Sequence, residues 1–226
     1  MRYLGGKQRI SKYLIPFLQN ETIHIFVDGF CGGLNIMPYI KANKRIAFDV
    51  NLPLISLYKA LQNRSIELPN IITEQEYKEA KLLDDINPLK AFIGFGCSFS
   101  GKYFGGMCKD NTERNYTLNA KNSLLKTFKN ITINDEFICC NYKDFNIKNA
   151  TIYLDPPYEN TTKYSEYINH LEFWEWCRNL AKMNKVFISE YNAPSDFKCV
   201  LEIETKTEIR TKLNGREKRI EKLFTI

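Results

Sequence analysis

The 226-residue sequence predicts an α/β fold, a doubly wound and mainly parallel sheet, and three observations predict it. Apolar runs that end in a carboxylate recur at Ile23–Asp28, Arg45–Asp49 and Thr151–Asp155, each about the length of a strand. Segments of helical periodicity follow these runs. Two alternating segments, Val200–Thr211 and Arg219–Ile226, flank Leu213-Asn214-Gly215-Arg216, whose Asn-Gly pair marks the reversal of a C-terminal antiparallel hairpin.

Strand Ile23–Asp28, a helix expected from Leu34 to about Ala42, and strand Arg45–Asp49 make a βαβ unit. A helix over Leu52–Gln62 comes next. From Leu68 to about Tyr142, helical segments are interrupted by Asn87-Pro88, Gly94, Gly96, Gly101 and Gly105-Gly106, so this stretch reads as a mostly helical insertion. Strands return at Phe137–Cys140 and Thr151–Asp155, followed by a helix over His170–Met183 and a strand at Val186–Glu190. The expected organisation is a core of residues 1–62 and 131–226 with residues 63–130 inserted.

An apolar content of 44% and a mean hydropathy of −0.37 describe a globular chain, and no apolar run approaches a bilayer span. Met1–Arg9 carries no uninterrupted apolar region, so secretion is unsupported and a cytoplasmic location is expected. The seven cysteines are odd in number, scattered and never spaced C-x-x-C, which argues against a disulfide framework and a structural zinc site. His24 and His170 have no partners at ligand spacing, so no metal is expected and no membrane partner either. A net charge of +6 is compatible with a polyanionic partner.

In open α/β sheets ligands bind beyond the carboxyl ends of the strands, which directs attention to the residues around Asp28, Asp49 and Asp155. Asp155-Pro156-Pro157-Tyr158 carries the most chemistry. Two prolines fix φ and remove two amide donors, leaving backbone carbonyls free to accept; Asp155 adds a carboxylate and Tyr158 a flat face for stacking. Together they form a rigid acceptor pair suited to a planar NH₂ group. The tetrapeptide by itself is equally a strand-ending turn.

This D-P-P-Y resembles the catalytic motif of the Dam-like family of DNA adenine-N6 methyltransferases, identical over four residues at the end of a strand. The resemblance implies that Asp155 and the Pro156 carbonyl hold the amine of an adenine flipped out of double-stranded DNA, while Tyr158 stacks on its ring. It also implies S-adenosylmethionine as methyl donor. Phe26-Val27-Asp28-Gly29-Phe30-Cys31-Gly32-Gly33 resembles the family's first cofactor motif, with Asp28, Phe30 and Gly32 as contacts and Gly29 in place of the usual proline. Asp49 in Ala47-Phe48-Asp49-Val50-Asn51 matches the ribose acid, though it could instead cap the helix at Leu52.

Tyr3-Leu4-Gly5-Gly6-Lys7 is similar to the aromatic-x-Gly-Gly-Lys segment, carrying over Tyr3 and Lys7; Lys7 could answer the donor's carboxylate or bridge to a motif acid. Asn141-Tyr142-Lys143-Asp144-Phe145 resembles the acidic-Phe element, with Asp144 and Phe145 near the donor's adenine. The order of cofactor, recognition and catalytic regions is the family's alpha-type order. It implies that the insertion reads DNA through Lys102, Tyr103, Arg114, Asn115 and Tyr116, with Asn192 near the target base. Lys121, Lys126 and Lys129 read as a solvated helix face that could touch phosphates. The motif conjunction predicts a Rossmann-like methyltransferase sheet. The alternatives are an amine methyltransferase acting on DNA cytosine or an RNA base, and a catalytically silent DNA-binding relative.

Overall fold

The computed structural model describes residues 1–19, 21–109, 114–159, 168–211 and 215–226. Its strands are β1 (Ile23–Gly29), β2 (Ala42–Asp49), β3 (Glu136–Cys139), β4 (Thr151–Leu154), β5 (Lys185–Glu190), β6 (Lys198–Thr211) and β7 (Gly215–Thr225). They form one sheet in the order β3-β2-β1-β4-β5-β7-β6. The first five strands are mutually parallel, whereas β7 runs antiparallel to both β5 and β6. This is the expected doubly wound α/β sheet with a C-terminal hairpin; Leu213 and Asn214 of the expected reversal lie outside the described residues. Strand order changes direction between β1 and β4, which opens a crevice at their carboxyl ends.

Central parallel strands are covered on both sides, so their sequences are continuous apolar runs whose alternate residues enter two cores. Phe26, Ala47, Tyr153 and Phe187 pack on one face, against α1 (Ser11–Leu18) and α2 (Leu52–Gln62). Val27, Phe48, Ile152, Leu154, Val186 and Ile188 pack on the other, beneath the His170–Ala181 helix. That helix buries Phe173, Trp174, Cys177 and Leu180, a stripe of helical period, so its aromatic run is core. Each such fully buried side chain contributes roughly 1.5–3 kcal/mol through removal of apolar surface from water.

The expected helix over Leu34–Ala42 does not form. Leu34 adopts a φ of 53°, Pro38 interrupts helical hydrogen bonding, and only a 3-10 turn at Met37–Tyr39 precedes β2, which already begins at Ala42. Leu34, Ile36, Met37 and Ile40 are all buried, so the segment serves as an apolar plug and has no amphipathic face to present. The sequence reading assigns nothing to Ser11–Leu18, which is helical despite Pro16, because Leu14 and Leu18 bury one face of it.

Between β2 and β3 the chain forms α3 (Glu74–Glu79), α4 (Pro88–Ala91) continuing into a π turn at Phe92–Gly96, and α5 (Tyr116–Phe128). Asn87-Pro88 starts α4 where the sequence suggests a break, since the Asn87 side chain accepts from Leu89 N and proline fits a first helical turn. The final helix, His170–Ala181, is α6. Phe92, Ile93 and Phe95 join the same apolar cluster as Phe26 of β1. Arg45 ties the segment before β3 to the sheet: its guanidinium donates to both Asp135 carboxylate oxygens at 2.7 and 2.6 Å and to Asn130 O at 2.8 Å. Gln62, at the end of α2, donates to Thr132 O and Asp135 O, both at 2.7 Å. No described helix is long and apolar enough to cross a membrane.

Candidate active site

A cleft of about 310 Å³ opens at the carboxyl edge where the strand order reverses, within the range of small-ligand sites. Carboxylates from adjacent strands converge on it. Asp28, near the end of β1, is buried, and its Oδ2 accepts from Met37 N at 3.0 Å. Burial pushes its pKa up to about 8, with Asp155 and Asp49 adding to the rise.

Asp49 ends β2, and its two oxygens accept from Gly32 N and Asn51 N, each at 3.0 Å. It does not cap α2; the Asn51 side chain does so, accepting from Leu54 N at 3.0 Å. The turn that Asp49 pins is tight. Gly32 has φ of 40° and a Cβ there would stand 2.7 Å from the Tyr3 ring. Phe30, at φ 56°, is held left-handed without being glycine, a strain of about 1–3 kcal/mol that tends to cluster at functional turns. At Gly29 a Cβ would lie 2.6 Å from both the Phe48 ring and Leu154 Cδ2, so the close packing of β1 on its neighbours requires glycine there.

Asp155 follows β4 and is positioned by its own N–H donating to Gly29 O at 3.2 Å. Lys7 Nζ pairs with its Oδ1 at 2.8 Å, and the lysine is only 7% exposed. Burial raises the Asp155 pKa to about 6 even though Lys7 opposes the rise. Lys7 therefore bridges to a motif acid. Its ammonium also meets Gly5 O at 3.3 Å and Glu221 Oε2 at 3.5 Å, and sits 4.4 Å from the Tyr158 ring centroid.

Tyr158 donates its hydroxyl to Glu221 Oε2 at 3.1 Å and meets Tyr191 edge to face at 4.7 Å. Glu190, ending β5, accepts from Tyr191 N at 2.7 Å and from Glu159 N at 3.0 Å, tying the strand end to the residue after D-P-P-Y. Burial raises its pKa to about 7.

Nine of the residues singled out in the sequence thus line one cleft: Tyr3, Lys7, Asp28, Phe30, Gly32, Asp49, Asp155, Pro156 and Tyr158. Asp144 and Phe145 do not. Asp144 is exposed, Phe145 stacks under Phe48 at 4.3 Å, and it is Asn141 and Tyr142 of that segment that reach the lining. Lys102, Arg114 and Asn192 are exposed. Tyr103 packs on Phe95 and Phe104, Asn115 caps α5 by accepting from Leu118 N, and Tyr116 lies beneath the Arg2 guanidinium. Sequence reasoning missed Glu221, and in the Ser189–Pro194 segment, which resembles the family's loop near the target base, it singled out Asn192 where Glu190 and Tyr191 make the contacts. Glu221 reads as an outward polar residue of an alternating strand, and only its two-residue spacing from the buried Leu223 marks its face.

The donor set suits a ligand carrying positive charge. Asp28, Asp49, Asp155 and Glu221 outnumber Lys7, and a cationic group in the cleft would relieve carboxylates that burial drives towards protonation.

The family model for D12 class N6 adenine-specific DNA methyltransferases matches residues 3–90 and 103–214. The chain belongs to that family. Among curated relatives, this D12-class chain is 27% identical over 188 residues to the modification methylase StsI of Streptococcus sanguinis, covering 72% of this chain and 29% of that protein. It is 25% identical over 208 residues to the type II methyltransferase M.FokI of Planomicrobium okeanokoites, covering 79% and 31% respectively. The D12-class chain thus spans about three tenths of the length of these relatives. Among solved structures, the rRNA methyltransferase aviRa from Streptomyces viridochromogenes aligns with a TM-score of 0.47 at 12% identity, covering 99% of this chain and 86% of that one.

Proposed function

We propose that the protein transfers a methyl group from S-adenosylmethionine to the exocyclic amine of an adenine flipped out of double-stranded DNA. The single observation that carries this reading is the pairing of Asp155 with Lys7 at the cleft floor, beside the Tyr158 ring. Family membership supports it, as do the modification methylases among the relatives.

The chemistry follows from the residue types. The amine lone pair of adenine is delocalised into the purine and is a poor nucleophile. Asp155 and the Pro156 carbonyl each accept one N–H, which returns electron density to nitrogen, and Tyr158 holds the ring by stacking. When bound, S-adenosylmethionine supplies an electrophilic sulfonium methyl group, and its positive charges match the acidic donor set. Asp28, Asp49 and Tyr3 would hold it. Lys7 keeps Asp155 ionised as an acceptor, and the raised pKa of about 6 makes that carboxylate a competent proton acceptor once nitrogen is methylated. Because the acceptor must be charged, turnover should fall as pH drops through about 6.

Residues 63–130 are proposed to read the DNA sequence, with exposed Lys102 and Arg114 meeting phosphates. Purified protein supplied with tritiated S-adenosylmethionine and duplex DNA should label N6-methyladenine on product analysis. Label recovered in cytosine or only in RNA would refute the assignment, and absence of donor binding by calorimetry would point to a silent relative.

A further inference from the structure

We propose that Glu221, on the returning strand β7, is a positioning residue for the amine acceptor, its carboxylate holding both the Lys7 ammonium that pairs with Asp155 and the phenol of Tyr158. This rests on the methyltransferase reading and extends it to a strand that carries none of the family motifs quoted above.

The geometry comes from the antiparallel turn-back at the sheet edge. In β7, Lys222 stands opposite Glu190 and Leu223 opposite Ser189, so Glu221 lies one residue beyond the carboxyl end of β5, level with the cleft. Its strand mate Leu223 is 1% exposed in the core, and a two-residue spacing turns Glu221 to the same side. One oxygen, Oε2, then accepts from Tyr158 Oη at 3.1 Å and faces Lys7 Nζ at 3.5 Å. An ammonium has three donors, and Gly5 O, Asp155 and Glu221 surround this one. Glu221 therefore shares Lys7 with Asp155 and fixes the plane of the tyrosine that faces the base.

Two consequences separate this role from simple packing. The charged and titratable groups facing Asp155 are Lys7 from the N-terminal segment, Asp28 from β1, Tyr153 and Tyr158 from its own strand and turn, Glu190 from β5, and Glu221. Neutralising Glu221 leaves Lys7 less divided, so Asp155 should ionise at lower pH. Truncating the side chain should in addition leave the Tyr158 phenol with Asp155 but without its Glu221 acceptor, loosening the stacking platform.

The test compares Glu221→Gln, nearly isosteric and still able to accept from Tyr158, with Glu221→Ala. Carbon-13 carboxyl titration of Asp155, without DNA or methyl donor, should show a lower midpoint in Glu221→Gln than in wild type, and the acid limb of the kcat profile should move the same way. Glu221→Ala should lose roughly tenfold more kcat than Glu221→Gln, a loss of the kind expected when a positioned group is no longer held. An unmoved Asp155 midpoint in Glu221→Gln, or equal kcat losses in the two variants, overturns the proposal. If wild type labels no adenine while the midpoint still falls in Glu221→Gln, the contact stands and the methylation reading is what fails.

Discussion

The two halves of the cleft are built differently. On the β1–β2 side, Asp28 and Asp49 accept from backbone N–H groups of the turns that follow these two adjacent strands: Met37 for the first, Gly32 and Asn51 for the second. On the β4 side, Asp155 is fixed by a side chain reaching from residue 7, and Tyr158 by one from residue 221. The first half is local and preset by the chain path. The second is an assembly of three distant segments, and its charge state depends on all of them. Backbone ligands suit a pocket that holds one cofactor in one pose, whereas a shared lysine suits an acceptor whose proton affinity must be tuned.

The largest expected effect strikes the assembled half. Asp155→Ala should lower methyl transfer by about 10²–10³-fold, the scale seen when one preorganised polar partner of a transition state is removed. Far-UV circular dichroism should be unchanged, and substantial residual turnover in that variant would contradict the acceptor role. Lys7→Gln strikes the same half through its cation. The buried carboxylate loses its counter-charge, its pKa rises beyond about 6, and turnover at neutral pH should fall about tenfold or more and recover partly at higher pH. A uniform loss at every pH would place Lys7 elsewhere in the chemistry.

Asp49→Asn tests the local half. Losing a charged acceptor should weaken donor binding by roughly tenfold, about 1.5 kcal/mol, while kcat at saturating donor changes little. Calorimetric titration reads this directly, and unchanged affinity would remove Asp49 from the cofactor site. The smallest change to activity belongs to Gly29→Ala, which forces a Cβ against Phe48 and Leu154 and should cost about 1–3 kcal/mol of stability, seen as a lower Tm. An unchanged Tm would mean that the β1 turn has slack.

Asp28 adds a pH signature. Its folded pKa of about 8 exceeds the ordinary carboxylate value, so its contribution to stability is fully present below about pH 4 and is lost as pH rises through 8. Asp28→Asn should flatten that part of the stability profile, measured by chemical denaturation at several pH values.

The same contrast explains what was legible beforehand. Asp28, Gly32 and Asp49 sit at strand ends followed by turn residues, and short-range pattern locates them. Asp155-Pro156-Pro157-Tyr158 is legible for the same reason. Glu221 is not, because its role depends on an antiparallel pairing that sets Lys222 opposite Glu190 and so carries residue 221 just past the end of β5, and alternation alone leaves its face looking solvated. Motif resemblance points to Asp144 and Phe145, whereas the 3-10 turn at Tyr142–Asp144 brings Asn141 and Tyr142 of that segment to the lining. The helix read over Leu34–Ala42 fails on Pro38 and on burial of Leu34, Ile36, Met37 and Ile40, which do not fall on one helical face.

Arg45 and Gln62 knot together the points where the polypeptide departs from the sheet after α2 and rejoins it before β3. These contacts hold the two ends of the intervening stretch together, while its interior shares one apolar cluster with the sheet. Leu68, Tyr77, Phe92, Phe95 and Leu124 sit in that cluster beside Phe26 and Tyr153, so exchanging this stretch between homologues requires its buried side chains to travel with it.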